Sequence, residues 1–173
     1  TNLVGADLTG AILIGANLTN VDITGTNLTG ADLTGTTLIG MTGDTTTNFT
    51  SAKLIGANLS SMILTGGNFE KADLRGANLS GADLENAILT GAKLITDGST
   101  RNNGVTSDTS GTVNLSGATL TNAKLSKADL TGANLTSAKL MGADLTGANL
   151  TSTTLTSTDF SDTDSTTGVV TAA

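Results

Sequence analysis

Leucine or an equivalent apolar residue recurs at every fifth position through most of this chain, and that period excludes most folds before any other property is considered. The centres run from Leu3 through Leu8, Leu13, Leu18, Ile23, Leu28 and Leu33 to Leu38. They resume one residue out of step from Phe49 to Leu94 and, after a longer break, from Leu115 to Phe160. That makes 28 units in three blocks, 1–40, 47–95 and 113–160. A strict step of five drifts around a helix of 3.6 residues per turn and leaves no lasting apolar stripe, while Thr and Gly in almost every unit are poor helix formers. The period therefore excludes helix.

In a unit such as Ala6-Asp7-Leu8 the apolar, polar, apolar alternation is that of a strand with one buried face. Ala6 and Leu8 point inward and Asp7 outward, yet the next inward residue is Ala11, so Thr9 and Gly10 lie at a corner. Each unit is then a very short strand plus a corner. Corners repeated in one sense wind the chain into a coil whose turns stack about 4.8 Å apart through backbone hydrogen bonds. The interior is expected to hold columns that include Leu8, Leu28, Phe49, Phe69, Leu84, Leu130, Leu150 and Phe160. With three Phe and no Trp or Tyr, that core is thin and made of Leu, Ile, Ala and Val.

The number of units per turn follows from the outward residue before each Leu, because stacked neighbours avoid like charge. Three units per turn would set Asp7 on Asp22 and Lys124 on Lys139, and five would set Asp7 on Asp32. Four units produce no like pair within the unbroken blocks; they align Lys53, Asp73 and Lys93 in an alternating column and oppose Lys124 to Asp144 and Lys139 to Asp159. A coil of twenty residues results, and about seven coils give a rod on the order of 34 Å long.

These units, ADLTG, ANLTG and ANLSG among them, resemble the pentapeptide-repeat family, whose consensus is A-(D/N)-L-x-x. The resemblance implies an all-β fold, a right-handed quadrilateral β-helix with four pentapeptides per coil, over residues 1–160. It also implies that function varies widely from member to member. The Thr/Gly/Ala/Asn type of unit resembles those abundant in cyanobacteria.

Two interruptions and a tail depart from the repeat. Residues 39–46 add one residue beyond two units and put Gly43 where an inward Leu is due, which reads as a bulge or small loop at a corner. Residues 95–112 carry no repeat and are rich in Gly, Ser, Thr and Asn, so they read as an exposed excursion and the best candidate contact loop, with Asp97, Arg101, Asn102, Asn103 and Asp108 as its polar contact residues. Residues 161–173 form a polar C-terminal tail. The chain starts at Thr1 without Met and in full register by Leu3, so the expectation is a processed product or an excerpt whose first coil is covered by a cap, a subunit or a domain.

Chemistry is limited by what is missing. Without His, Cys or Tyr the usual general bases, thiol nucleophiles and soft metal ligands are absent, and no Ser or Thr has a recognisable activating partner. Asp159, Asp162, Asp164 and Gly168 do not match a calcium loop, since the Gly is one place late and no bidentate Glu follows; they read as a solvated acidic tail. No cofactor, metal, small-molecule substrate or enzymatic activity is expected. A net charge of −7 argues against direct nucleic-acid contact, and no apolar run approaches the length of a membrane span.

The expectation is a non-catalytic structural or protein-interaction module, a rod assembling through its ends or as a dimer and displaying the 95–112 loop. An acidic DNA mimic that binds a topoisomerase is the first alternative, because gyrase-protecting members of the resembled family also carry two loops. Those members look Phe-rich, however, and here the columns mix Asp with Asn and Lys. A secreted or surface fibre spacer is the second alternative, and an extracellular, surface, periplasmic or lumenal location is favoured over the cytoplasm.

Overall fold

A computed structural model describes residues 2–94 and 113–161. Among these residues there is no helix and no strand longer than one bridging residue; turns separate the bridges throughout. Each bridge is parallel and joins an outward residue to its counterpart one coil on, as in Asn2 with Asp22, Asp7 with Asn27, Ile12 with Asp32 and Asn17 with Thr37. Within the unbroken blocks partners are twenty residues apart and successive bridges five apart, so each coil carries four bridging positions, which define four faces; across the first interruption the separation is 21.

The first face holds Asn2, Asp22, Thr42, Ile63, Asp83, Thr119, Lys139 and Asp159. The second holds Asp7, Asn27, Asn48, Asn68, Ile88, Lys124 and Asp144. The third holds Ile12, Asp32, Lys53, Asp73, Lys93, Asp129 and Asn149, and the fourth Asn17, Thr37, Asn58, Asn78, Asn114, Asn134 and Thr154.

Two sets of hydrogen bonds tie the coils. The N–H of each inward Leu donates to the next coil, as in Leu8 to the Asn27 carbonyl at 2.8 Å, and the bridging N–H donates back, as in Asn27 to the Ala6 carbonyl at 2.9 Å. Within a corner the inward small residue closes a four-residue turn, Ala11 N–H on the Leu8 carbonyl at 3.0 Å. Gly10 sits third in that turn with φ +67°, a left-handed conformation that costs glycine little, which accounts for Gly at this place in the unit.

The interior is a continuous column stack. Leu28, Phe49, Phe69, Leu84, Leu130 and Leu150 are buried, and Phe49 and Phe69 stack with centroids 4.8 Å apart. Leu8 and Phe160 are only half-buried, because each lies in an end coil with a neighbour on one side among the described residues. Three inward places are held by Thr26, Thr36 and Thr47, fully buried, and each hydroxyl donates to a carbonyl of the preceding coil, as Thr26 does to Leu3 at 2.7 Å. A buried hydroxyl is tolerated only with such a partner.

At residues 39–46 the coil absorbs its extra residue in one corner. Met41 fills the small inward place, Thr42 bridges Ile63, Gly43 stands in the Leu place and Thr47 is the next buried residue, so three residues, 44–46, replace the usual two. Asp44 secures this corner, its carboxylate accepting from the Gly25 N–H at 3.2 Å and the Thr46 hydroxyl at 2.7 Å. The missing side chain at Gly43 is replaced by Leu64 from the next coil, whose Cδ1 occupies the space a Cβ would need.

Candidate interaction surfaces

Outward residues do more than face solvent. In unit after unit the Asp or Asn carboxylate or amide oxygen accepts the backbone N–H two residues on, closing an Asx turn over the corner: Thr9 N–H to Asp7 Oδ1 at 3.1 Å, Ser80 N–H to Asn78 Oδ1 at 3.1 Å. At Thr9, Thr19, Thr24, Thr29, Thr34, Thr50, Thr131 and Thr151 the hydroxyl donates to the same oxygen, at 2.6 Å in the Asp7 case. The consensus Asp/Asn followed two places later by Thr/Ser is thus corner chemistry rather than a catalytic or ligand-binding arrangement.

These donors stabilise the charged carboxylate. The Thr9 hydroxyl, then its N–H, holds Asp7 below the ordinary carboxylate value, as Thr34 does for Asp32 and Thr146 for Asp144. At Asp22 and Asp159 the backbone N–H groups of Thr24 and Ser161 lead, followed by their hydroxyls.

Charge pairs along the rod follow the ladder but not always the shortest contacts. Lys53, Asp73 and Lys93 are ladder neighbours, and the column extends through both interruptions to Asp32 and Asp129. Lys53 Nζ lies 3.4 Å from Asp32 Oδ2, whereas Asp73 is held by Arg75, Nε to Oδ1 and Nη2 to Oδ2 both at 2.7 Å. Asp73 is therefore not an ion shared between two lysines. Its partner lies across its own corner, two residues on, because both positions point outward.

The stem of the 95–112 excursion is fixed. Leu94 and Val113 are buried on either side of it, and the ladder runs across it without slipping: Asn78 bridges Asn114 and Lys93 bridges Asp129. Those partners are 36 residues apart instead of 20, so the excursion adds sixteen residues at the corner between the third and fourth faces, directly above Arg75 in the column of corners. Asp97, Arg101, Asn102, Asn103 and Asp108 lie outside the described residues, as do Asp162, Asp164 and the rest of the tail. Asp159 is described, and its carboxylate is engaged by Ser161 at 2.8 Å. Among the described residues no three acidic side chains gather as metal ligands, and no helix is long and apolar enough to cross a membrane.

The edge at the first coil differs from the middle of the rod. The N–H and carbonyl groups of Ile12 and Asn17 find no hydrogen-bond partner among the described residues, and Val4, Ile12 and Ile14 are exposed, Ile12 to 79%. Leu3, Leu8, Leu13 and Leu18 behind them are half-buried. Among the described residues this edge sets backbone groups without partners beside apolar side chains.

A sequence model described as Pentapeptide repeats matches the chain in 8 copies, over residues 1–38, 46–81, 114–151 and 142–164. Among solved structures, HetL, a pentapeptide-repeat protein involved in heterocyst differentiation regulation in the cyanobacterium Nostoc, is 35% identical over 91% of this chain and 73% of its own, with a TM-score of 0.39. QnrB1, a plasmid-mediated fluoroquinolone resistance protein, is 22% identical over 92% of this chain and 79% of its own, with a TM-score of 0.50. A pentapeptide-repeat protein of the Arabidopsis thaliana thylakoid lumen is 30% identical over 62% of this chain and 60% of its own, with a TM-score of 0.34. No curated protein matches.

Proposed function

We propose, from the premise that this chain belongs to the pentapeptide-repeat family, that it is a non-catalytic protein-interaction rod, a right-handed quadrilateral β-helix of about seven coils. Its first-coil edge docks on a coil of a second rod, and its 95–112 excursion, through Asp97, Arg101, Asn102, Asn103 and Asp108, makes the contact that selects a protein partner. The observation that carries this reading is the ladder that keeps its register through the excursion, Asn78 on Asn114 and Lys93 on Asp129. The coils on either side tolerate this insertion without a change of register, and loops held by a rigid scaffold are where binding residues concentrate.

Self-association through the edge has physical support of its own. Exposed Val4, Ile12 and Ile14 give this coil an apolar surface on which another chain can dock. A carboxylate stripe of the kind a DNA mimic needs is not favoured, since the first-face column alone passes through Thr42, Ile63, Thr119 and Lys139 between its acids.

Electron microscopy with light scattering on the intact protein tests the reading. Particles in multiples of the rod length, reduced to single rods by Ile12→Asp with Ile14→Asp, are the expected result. Single rods at every concentration, together with unchanged partner binding after replacement of 95–112 by a two-residue corner, would overturn it.

A further inference from the structure

The charges of this protein are not spread evenly around the rod. Eighteen Asp, Glu, Lys and Arg fall among the described residues, and they divide equally among the first three faces and the corners that follow them. The first carries Asp22, Asp44, Asp83, Glu85, Lys139 and Asp159. The second carries Asp7, Glu70, Lys71, Lys124, Lys127 and Asp144, and the third Asp32, Lys53, Asp73, Arg75, Lys93 and Asp129. The fourth face and its following corner carry none over the whole described length.

The fold does not require this. Asp and Asn close the same corner turn, as Asp7 and Asn78 do, so the coil would accept Asp at Asn58, Asn78, Asn114 or Asn134. The third face shows that it also accepts an alternating column of acids and bases. A bare face in a rod that carries charge on each of its other three faces points to a surface kept free of charge for contact.

The chemistry of that face is ordered. Each Asn Oδ1 is held by the N–H two residues on, which fixes the amide orientation, and Asn78 and Asn134 each send one Nδ2–H along the column to Asn58 and Asn114 at 3.4 Å. No other acceptor for these amide N–H groups is found among the described residues. Beside the amides runs a row of hydroxyls, Ser60, Ser80, Ser116 and Thr136, which donate to nothing among the described residues.

We propose that the fourth face and its corner form a lateral docking surface for a second copy of this chain, the two rods lying parallel. A two-fold axis along the rods sets the amide row of one copy against the hydroxyl row of the other, an isologous contact in which donors meet acceptors at both positions. The repeats match coil for coil, because both sides carry the same spacing of about 4.8 Å. This face lets two chains of net charge −7 approach with no charged side chain in either contact surface over the described length. A contact about 34 Å long and one face wide buries a few hundred Å² per copy, below the roughly 800 Å² of a standard interface, so the pair is weak.

This inference is independent of end-to-end docking, and the two leave different particles: side-by-side pairing doubles the width of a rod and end-to-end docking its length. Sedimentation equilibrium at low ionic strength, to protein concentrations of about 1 mM, with small-angle X-ray scattering to tell a doubled width from a doubled length, compares the intact chain with Asn78→Asp on the fourth face and Asn48→Asp on the second. Both variants carry the same net charge and keep the corner acceptor, so neither has a reason to unfold, and circular dichroism confirms that each is folded. The expected result is a width-doubled dimer whose dissociation constant rises about tenfold or more in Asn78→Asp and stays within about twofold in Asn48→Asp. An intact chain that stays monomeric in width, including one that instead adheres to a neutral polysaccharide, or equal shifts in the two variants, would overturn it.

Discussion

Arg75 grips Asp73 with two parallel hydrogen bonds of 2.7 Å across a single corner, and the two side chains are only 29% and 16% exposed. That geometry is the exception among surface ion pairs, since a bidentate guanidinium–carboxylate contact holds where a lone lysine would not. Asp73→Asn is therefore expected to cost about 1 kcal/mol, close to the upper end for exposed pairs. A double-mutant cycle with Arg75→Gln isolates the pair from Arg75's other contacts. Coupling near zero would mean that the contact is incidental, and Lys53→Gln, which touches only the looser 3.4 Å pair with Asp32, is expected to cost less.

Gly43 invites a repair that is expected to fail. The repeat pattern asks for Leu there, but Leu64 already occupies the space, and a Cβ at Gly43 would also press on Thr47 Oγ1 at 2.8 Å. Gly43→Leu is predicted to destabilise the rod by about 1–3 kcal/mol through overpacking, measured by chemical denaturation. Stabilisation by the consensus residue would mean that Leu64 can leave the site at no cost.

Leu84→Asp probes the centre of the stack, where Leu84 is fully buried. An unpaired buried carboxylate costs several kcal/mol, so the melting transition is expected to fall sharply or split into separate steps as the coils on either side uncouple. Unchanged cooperative melting would contradict the inward orientation of this column.

The pH dependence has a definite sign. Asp7, Asp22, Asp32, Asp44, Asp144 and Asp159 all titrate below the ordinary value of 3.8 in the folded chain, chiefly through hydrogen bonds from the corner two residues on. A folded value lowered in this way contributes stability that is fully present above the unfolded value and is lost as pH falls through the folded one. From these groups, denaturation midpoints are expected to hold steady from neutral pH down to about 4 and to decline below it. Carboxyl titration followed by NMR checks the cause: Thr9→Val is expected to move Asp7 back toward its ordinary value. No movement would assign the shift to something other than the Thr9 hydroxyl.

The coil was legible because its period is so short. An outward Asp7 between inward Ala6 and Leu8, and the avoidance of like charges in stacked columns, lead directly to coils of twenty residues. The link from Asp32 to Lys53 and from Lys93 to Asp129 was not visible, because a charge comparison confined to unbroken blocks cannot see across an insertion of arbitrary length. It becomes visible once Val113 is given the inward place after Leu94. The Arg75–Asp73 contact escaped for a different reason: an outward residue and the corner residue two places on share a surface, whereas ladder reasoning looks only from coil to coil. Thr26, Thr36 and Thr47 look polar and are buried, since each hydroxyl has a carbonyl of the preceding coil within reach.

The bare fourth face also emerges only when all four columns are laid side by side through both interruptions. Asn is an ordinary outward residue in any single unit. Its meaning comes from the absence of Asp and Lys along an entire face.

Continuity of the rod through residues 95–112 is the claim on which the faces, the fixed stem and the lateral surface all depend, and a cross-coil cysteine pair tests it most directly. The chain has no cysteine, so Asn78→Cys with Asn114→Cys provides a single thiol pair, distant in sequence but adjacent in the ladder, and Asn78→Cys with Thr119→Cys provides a pair on different faces. Ladder neighbours about 5 Å apart are within reach of a disulfide or a short bismaleimide. Rapid intramolecular cross-linking of the 78/114 pair and not of the 78/119 pair is the predicted result. Failure of the 78/114 pair to link, or equal linking of both, would contradict a ladder that runs unbroken past the excursion.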